Sequence, residues 1–149
     1  MKRGLTAVSL MAMLCILSMP AVAQNEELTT IGAIGASNMY VTYIAVGSVA
    51  DGHAQKVYDD DTTSNLLQSL AQLAQSSQES LGNLKKAGRL EKEDFEFISE
   101  MITTLELLSG QARSYIQYIK TGNKSHAQQY NEFRKKAWSK IVVLLGIEE

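Results

Sequence analysis

The sequence predicts an all-α protein, an antiparallel up-down-up-down four-helix bundle that follows a cleaved N-terminal signal peptide. Three observations predict it. Apolar residues recur at spacings of three and four over four long stretches within residues 24–149, the pattern of helices that bury one face. No sustained two-residue alternation occurs, and no Asn-Gly or Asp-Gly turn joins β-branched runs, so nothing encodes a hairpin sheet. The stretches are joined by short connections, which set consecutive helices antiparallel. A chain of 149 residues, 45% of them hydrophobic, suffices for one cored domain and excludes a disordered tail.

The first segment reads as an address. Met1-Lys2-Arg3 is basic, Leu5 to Met19 is almost unbroken apolar sequence, and Pro20 ends the run. Ala21-Val22-Ala23 then supplies the small-x-small pattern of a secretory signal peptide over residues 1–23, with cleavage expected after Ala23. The apolar run is short for a bilayer span of ~20 residues. Cys15, the only cysteine, falls inside it and follows Leu14 rather than the small residue a lipoprotein signal needs. Residues 24–149 therefore hold no cysteine for a disulfide, a thiolate metal site or a nucleophile. A bacterial Sec-type leader places the product in the periplasm or outside the cell.

The first bundle helix is expected over about residues 27–51. Residues 28–50 carry no charge, which is long enough to span a bilayer. Asn38, Tyr40, Tyr43 and the small residues Gly32, Ala33, Gly35, Ala36 and Ser37 suit close helix packing better than lipid. The second helix, about 61–87, opens on Asp59-Asp60-Asp61-Thr62, which offers capping oxygens and negative charge. Leu66, Leu67, Leu70, Leu73, Ala74, Leu81 and Leu84 mark its stripe, and Gly88 stops it. The third, 92–121, follows a Glu91 cap and a Leu90–Phe95 staple. Its stripe runs Ile98, Met101, Ile102, Leu105, Leu108, Ala112, Tyr115 and Ile119, and Gly122 ends it. The fourth, 124–146, starts near Asn123 or Ser125, with capping-box spacing at Ser125 and Gln128 and a stripe from Tyr130 through Phe133, Ala137 and Ile141 to Leu145.

Helix rise converts this connectivity into depth. Let the end with the turn near residues 52–60 be the top. Tyr115 then lies ~9 Å below it, Tyr130 ~10 Å and Tyr43 ~14 Å, with Ala45, Gly47, Ala112 and Ala127 nearby. Large residues facing small ones fill a core, or line a pocket for a small polar-aromatic ligand. Tyr43, Tyr115 and Tyr130 are thus the candidate ligand-binding residues. Asn38 and Ser77 interrupt apolar stripes ~21–22 Å down and are expected to form a buried polar layer that fixes register. His53 and His126 share the top with Asp51 and Asp59 to Asp61. They are weak candidates for a Zn²⁺ or Cu²⁺ site, because aspartates before a helix ordinarily cap it.

Other chemistries find no support. Thioether haem needs Cys-x-x-Cys-His, and Met39 and Met101 lie too far from His126 in depth to share one iron. The Glu-x-x-His pairs of di-iron bundles are missing, as are G-x-S-x-G, H-E-x-x-H and a phosphate-binding loop. No cofactor is expected. Without Lys2 and Arg3 the chain has 12 basic and 16 acidic residues, and the short Arg134-Lys135-Lys136 patch does not argue for nucleic acid. In general architecture the chain is similar to small secreted helical proteins and, loosely, to periplasmic helical sensor domains, and no motif carries that similarity further. The expectation is a non-catalytic binding or interaction module, with a small ligand at the Tyr-rich end. The alternative is a structural or membrane-associated protein that uses its uncharged first helix against a partner, a second copy or a membrane surface.

Overall fold

A computed structural model describes residues 21–88 and 90–147, with side chains from Leu28 onward. The expected signal segment therefore lies outside the described residues up to position 20. The chain divides into two units, Met1–Gly32 and Ala33–Glu149. Of the first, the described part is helical from Ala21. The second holds the bundle.

Four helices make up the described chain: α1 (Ala21–Ala54), α2 (Asp60–Lys86), α3 (Lys92–Thr121) and α4 (Lys124–Leu145). No strand occurs among the described residues. Two core clusters draw on all four helices. One joins Met39, Ala74, Ile98, Met101, Leu105, Leu108, Ala137 and Ile141. The other joins Val46, Ala50, Leu67, Ala71, Ala112, Tyr115, Ile116 and Tyr130. Helix α3 supplies the largest share of both, and Met101, Thr104, Ala112 and Gln111 on it are fully buried. The bundle is built around this helix.

Local chemistry sets the ends. The Asp59 side chain accepts the Thr62 N–H at 2.7 Å, and Asp60 and Asp61 occupy the first turn of α2. Those two charges face the positive end of the helix dipole. Hydrogen bonding from Thr62, through its side chain first and its backbone second, holds the Asp59 carboxyl below its ordinary 3.8. Glu91 precedes α3 without a side-chain cap bond. At α4 the Ser125–Gln128 box does not form. Asn123 is the cap instead, and its Oδ1 accepts the Ser125 N–H at 3.0 Å. Gly122 and Gly146 adopt φ of 65° and 63°, which a glycine reaches without a Cβ clash.

Helix α1 runs on through Gly52 and His53 to Ala54, three residues beyond the expected end. Its turn is closed by Tyr58, whose ring lies where a Cβ on Gly52 would stand, 2.6 Å from Cε2. Lys56 takes a left-handed φ of 59° to bring the chain back. Farther along the bundle, Met101 Cε stands where a Cβ on Gly35 would lie, and the Phe133 ring would be 2.9 Å from one on Gly110. These glycines let α1 approach α3, and α4 approach α3.

Three expectations are corrected. Asn38 is exposed and Ser77 only half-buried, so they form no buried polar layer. Helix rise fixes their depth but not their facing: Met39 and Thr42 point inward, and Asn38 turns outward with its carbonyl accepting the Thr42 hydroxyl at 2.8 Å. Leu66 and Leu73 are also exposed, which leaves the buried face of α2 to Thr63, Leu67, Ala71 and Ala74. Of the two starts expected for α4, Asn123 and not Ser125 is the cap, so the Ser125–Gln128 spacing is not used as a capping box.

Candidate functional site

The end of the bundle that holds the α1–α2 turn carries a chain of three polar side chains. Asp60 opens α2, His53 closes α1 and Tyr115 lies on α3. His53 Nε2 is 2.8 Å from Asp60 Oδ1, and Nδ1 is 3.2 Å from the Tyr115 hydroxyl. That hydroxyl donates to the Ala50 carbonyl at 3.0 Å. A phenol has one proton, so toward His53 it then accepts. Toward Asp60, a carboxylate that only accepts, His53 Nε2–H donates.

The order Asp–His–hydroxyl resembles that of a nucleophilic triad, but its chemistry does not follow. Burial first, and then the neighbouring Tyr130, Tyr118 and Asp51, push the Tyr115 phenol above its ordinary 10.0. A hydroxyl harder to ionise and bound to a backbone carbonyl is a poor nucleophile. The three residues act as a latch between α1, α2 and α3. An open cleft of about 1170 Å³ lies over this latch, lined by His53, Lys56, Tyr58, Asp59, Tyr115 and Tyr118 among others.

Tyr115 also faces inward. Its ring packs edge-on against Tyr130 at 5.1 Å and Tyr118 at 5.8 Å. One helical turn below it on the same stripe of α3 is Gln111. Gln111 is fully buried, and neither its Nε2 nor its Oε1 has a hydrogen-bond partner among the described residues. The Tyr130 hydroxyl, on a side chain 6% exposed, has none either. Burial is the main cause that raises the Tyr130 phenol above 10.0, opposed by Gln111 and Arg134. The Gln111 amide acts on the Tyr130 hydroxyl as a hydrogen-bonding neighbour, so these buried groups lie within reach of one another. With Ser109 Oγ, four buried side-chain atoms have no hydrogen bond among the described residues, and each costs about 1–3 kcal/mol where it stays so.

The sequence-predicted residues divide. Tyr115 and Tyr130 are brought into contact. Tyr43 stands on α1 against Trp138 at 5.4 Å. Its hydroxyl strengthens the hold of Arg134 on its proton, the largest cause of the upward shift there. Tyr43 also acts electrostatically on Tyr130. His53 and His126 do not converge. His53 is bound to Tyr115 and Asp60, whereas His126 Nδ1 lies 3.2 Å from Gln129 Oε1 on its own helix. Among the described residues no group of three or more His, Cys, Asp or Glu could hold a metal ion. Nor, among them, is any helix long and apolar enough to cross a membrane.

Gln111 is the site residue that sequence reasoning missed. The signal was present, because it lies three residues after Leu108 and four before Tyr115 on the buried stripe. Comparison of the chain with protein-family models, curated proteins and solved structures finds no match.

Proposed function

We propose that the chain is a non-catalytic binding module, secreted or periplasmic after cleavage behind Ala23, that holds a small polar ligand among Tyr43, Tyr115 and Tyr130. One observation carries this reading: the Gln111 amide and the Tyr130 hydroxyl are buried next to one another beside Tyr115, with hydrogen-bonding capacity left unmet among the described residues. A stable core does not ordinarily retain such atoms, and a ligand would satisfy them. The latch of Asp60, His53 and Tyr115 lies between the open cleft and this level and supports a role in access.

The up-down-up-down topology is part of the same proposal. Gln75 meets Arg113 and Lys85 meets Ser99, so numbers rise on α2 as they fall on α3. Gly110 lies against Phe133 and Glu100 pairs with Lys140, which gives the same relation for α3 and α4. The basic start, apolar run and Ala21-Val22-Ala23 support the leader.

The test is native mass spectrometry of the protein purified from the secreted fraction of its own cells. The expected result is the mass of residues 24–149 plus a defined adduct, absent in Tyr115→Ala while helicity by circular dichroism persists. A bare monomer overturns the ligand reading. A second reading has its own support: Ile34, Val41 and Ile44 leave an apolar strip exposed on the uncharged α1. It makes the protein an interaction module that pairs through α1 with a second copy, a partner or a membrane surface.

A further inference from the structure

A second cleft lies between α3 and α4 and shares no lining residue with the cleft over the latch. We infer that it binds a medium-chain carboxylate, an anionic amphiphile whose alkyl chain lies along the groove and whose head group meets Lys136 at one end.

The shape suits a single chain. The groove holds about 730 Å³, and Phe97, Leu107, Val143 and Leu144 supply its apolar lining. That size falls within the roughly 300–1,000 Å³ of small-molecule sites. Glu100 pairs with Lys140, and Gly110 lies against Phe133. The same register sets Leu107 beside Lys136 and Phe97 beside Val143. Lys136 and Val143 therefore mark opposite ends, ~10 Å apart along α4. Carbon–carbon bonds of ~1.5 Å advance an extended alkyl chain by ~1.3 Å per carbon, so about eight carbons span the groove.

The polar groups of the lining are already engaged, with one exception. The Thr103 hydroxyl donates to the Ser99 carbonyl at 3.0 Å, and the Ser139 hydroxyl to the Lys135 carbonyl at 3.2 Å. Glu100 and Lys140 neutralise one another. An extended peptide laid between these groups would give up its backbone bonds to water without replacement. A methylene chain gives up none. At the far end Phe97 is 36% exposed and Val143 78%, apolar surface that the end of such a chain would take out of water.

The exception fixes the charge. Lys136 lines the groove, is exposed, and has no hydrogen bond or ion pair among the described residues. An ammonium at one end of an apolar groove complements an anionic head and repels a cationic one. One ammonium balances one negative charge, which a carboxylate carries and a phosphate monoester exceeds.

The experiment is calorimetric titration of the protein, purified from its own cells and freed of bound lipid. The probes are hexanoate, octanoate, decanoate and dodecanoate, each below its micellar concentration. Affinity should rise about fourfold per methylene while the chain still fits, and level off by decanoate. Octylammonium should bind roughly tenfold more weakly than octanoate, and Lys136→Glu should invert that preference. Val143→Asn should weaken octanoate and octylammonium alike, by about fivefold. Both substituted side chains are exposed, so the fold should tolerate the changes. An affinity that keeps climbing from decanoate to dodecanoate overturns the inference, and so does an octanoate affinity indifferent to Lys136→Glu. No saturable heat with any free chain overturns it too. In that case, binding to phosphatidylglycerol vesicles would assign the groove to a membrane surface, and a dimer in sedimentation that Val143→Asn disrupts would assign it to a second copy. None of these outcomes bears on the ligand proposed for the tyrosine level.

Discussion

Gln111 sets a cost that stability measurements can read. Its two amide atoms are buried with no hydrogen bond among the described residues, and a leucine of similar size would remove the desolvation penalty. In ligand-free protein, Gln111→Leu should therefore stabilise the fold by about 1–3 kcal/mol, seen as a thermal midpoint a few degrees higher. An unchanged or lower midpoint would mean the amide is satisfied in solution. The tyrosines give a second readout. Tyr115 and Tyr130 both hold their protons above the ordinary 10.0 because burial disfavours the phenolate. With the folded value raised, their contribution is complete below the unfolded value and is lost as pH rises through the folded one. Stability should fall steeply above about pH 10, and Tyr130→Phe should make that fall shallower in chemical unfolding followed across pH 8 to 11. The site was only partly legible in the sequence. Tyrosines on core stripes announce themselves by size and spacing, whereas a single glutamine between Leu108 and Tyr115 reads as a polar break until its neighbours are known. Asn38 shows the converse: its depth could be estimated from helix rise, but which way it turned could not.

Each helix was legible because its period and its stops agree. Gly122 and Gly146 end α3 and α4, and Asp59 begins α2, all residues whose backbone or side-chain chemistry suits a terminus. The end of α1 was less legible. The sequence predicts an end near residue 51, yet Gly52 stays helical, and the space beside it is filled by Tyr58 from the following turn. Only tertiary packing shows that. The Asp59 cap makes a prediction for α2. Its folded value is depressed, so its contribution is present above the unfolded carboxyl value and is lost as pH falls through the folded one. Asp59→Ala should lower the thermal midpoint near neutral pH, and the gap from wild type should close as pH falls from 5 to 2. A gap that stays constant over that range would show that the carboxylate charge is not what the cap uses.

For the whole molecule, the apolar strip on α1 separates the two functional readings. Ile34 and Val41 are 66% and 62% exposed on a helix with no charge between residues 28 and 50. If α1 pairs with a second copy, sedimentation should show a concentration-dependent dimer that Val41→Asp abolishes without loss of helicity. A monomer at every concentration removes self-association as the use of that strip. The central place of α3 has one more consequence, in time rather than in space. Amide hydrogens around Thr104 to Tyr115 lie among fully buried side chains, packed against residues of all three other helices. No local fraying reaches them, so they should exchange with deuterated solvent only when the entire bundle opens. Those of α1 beneath the exposed strip can exchange through smaller openings. The slowest amides of α3 would thus report the global unfolding free energy directly, and a ligand at Gln111 would slow them further as its concentration rises above its dissociation constant.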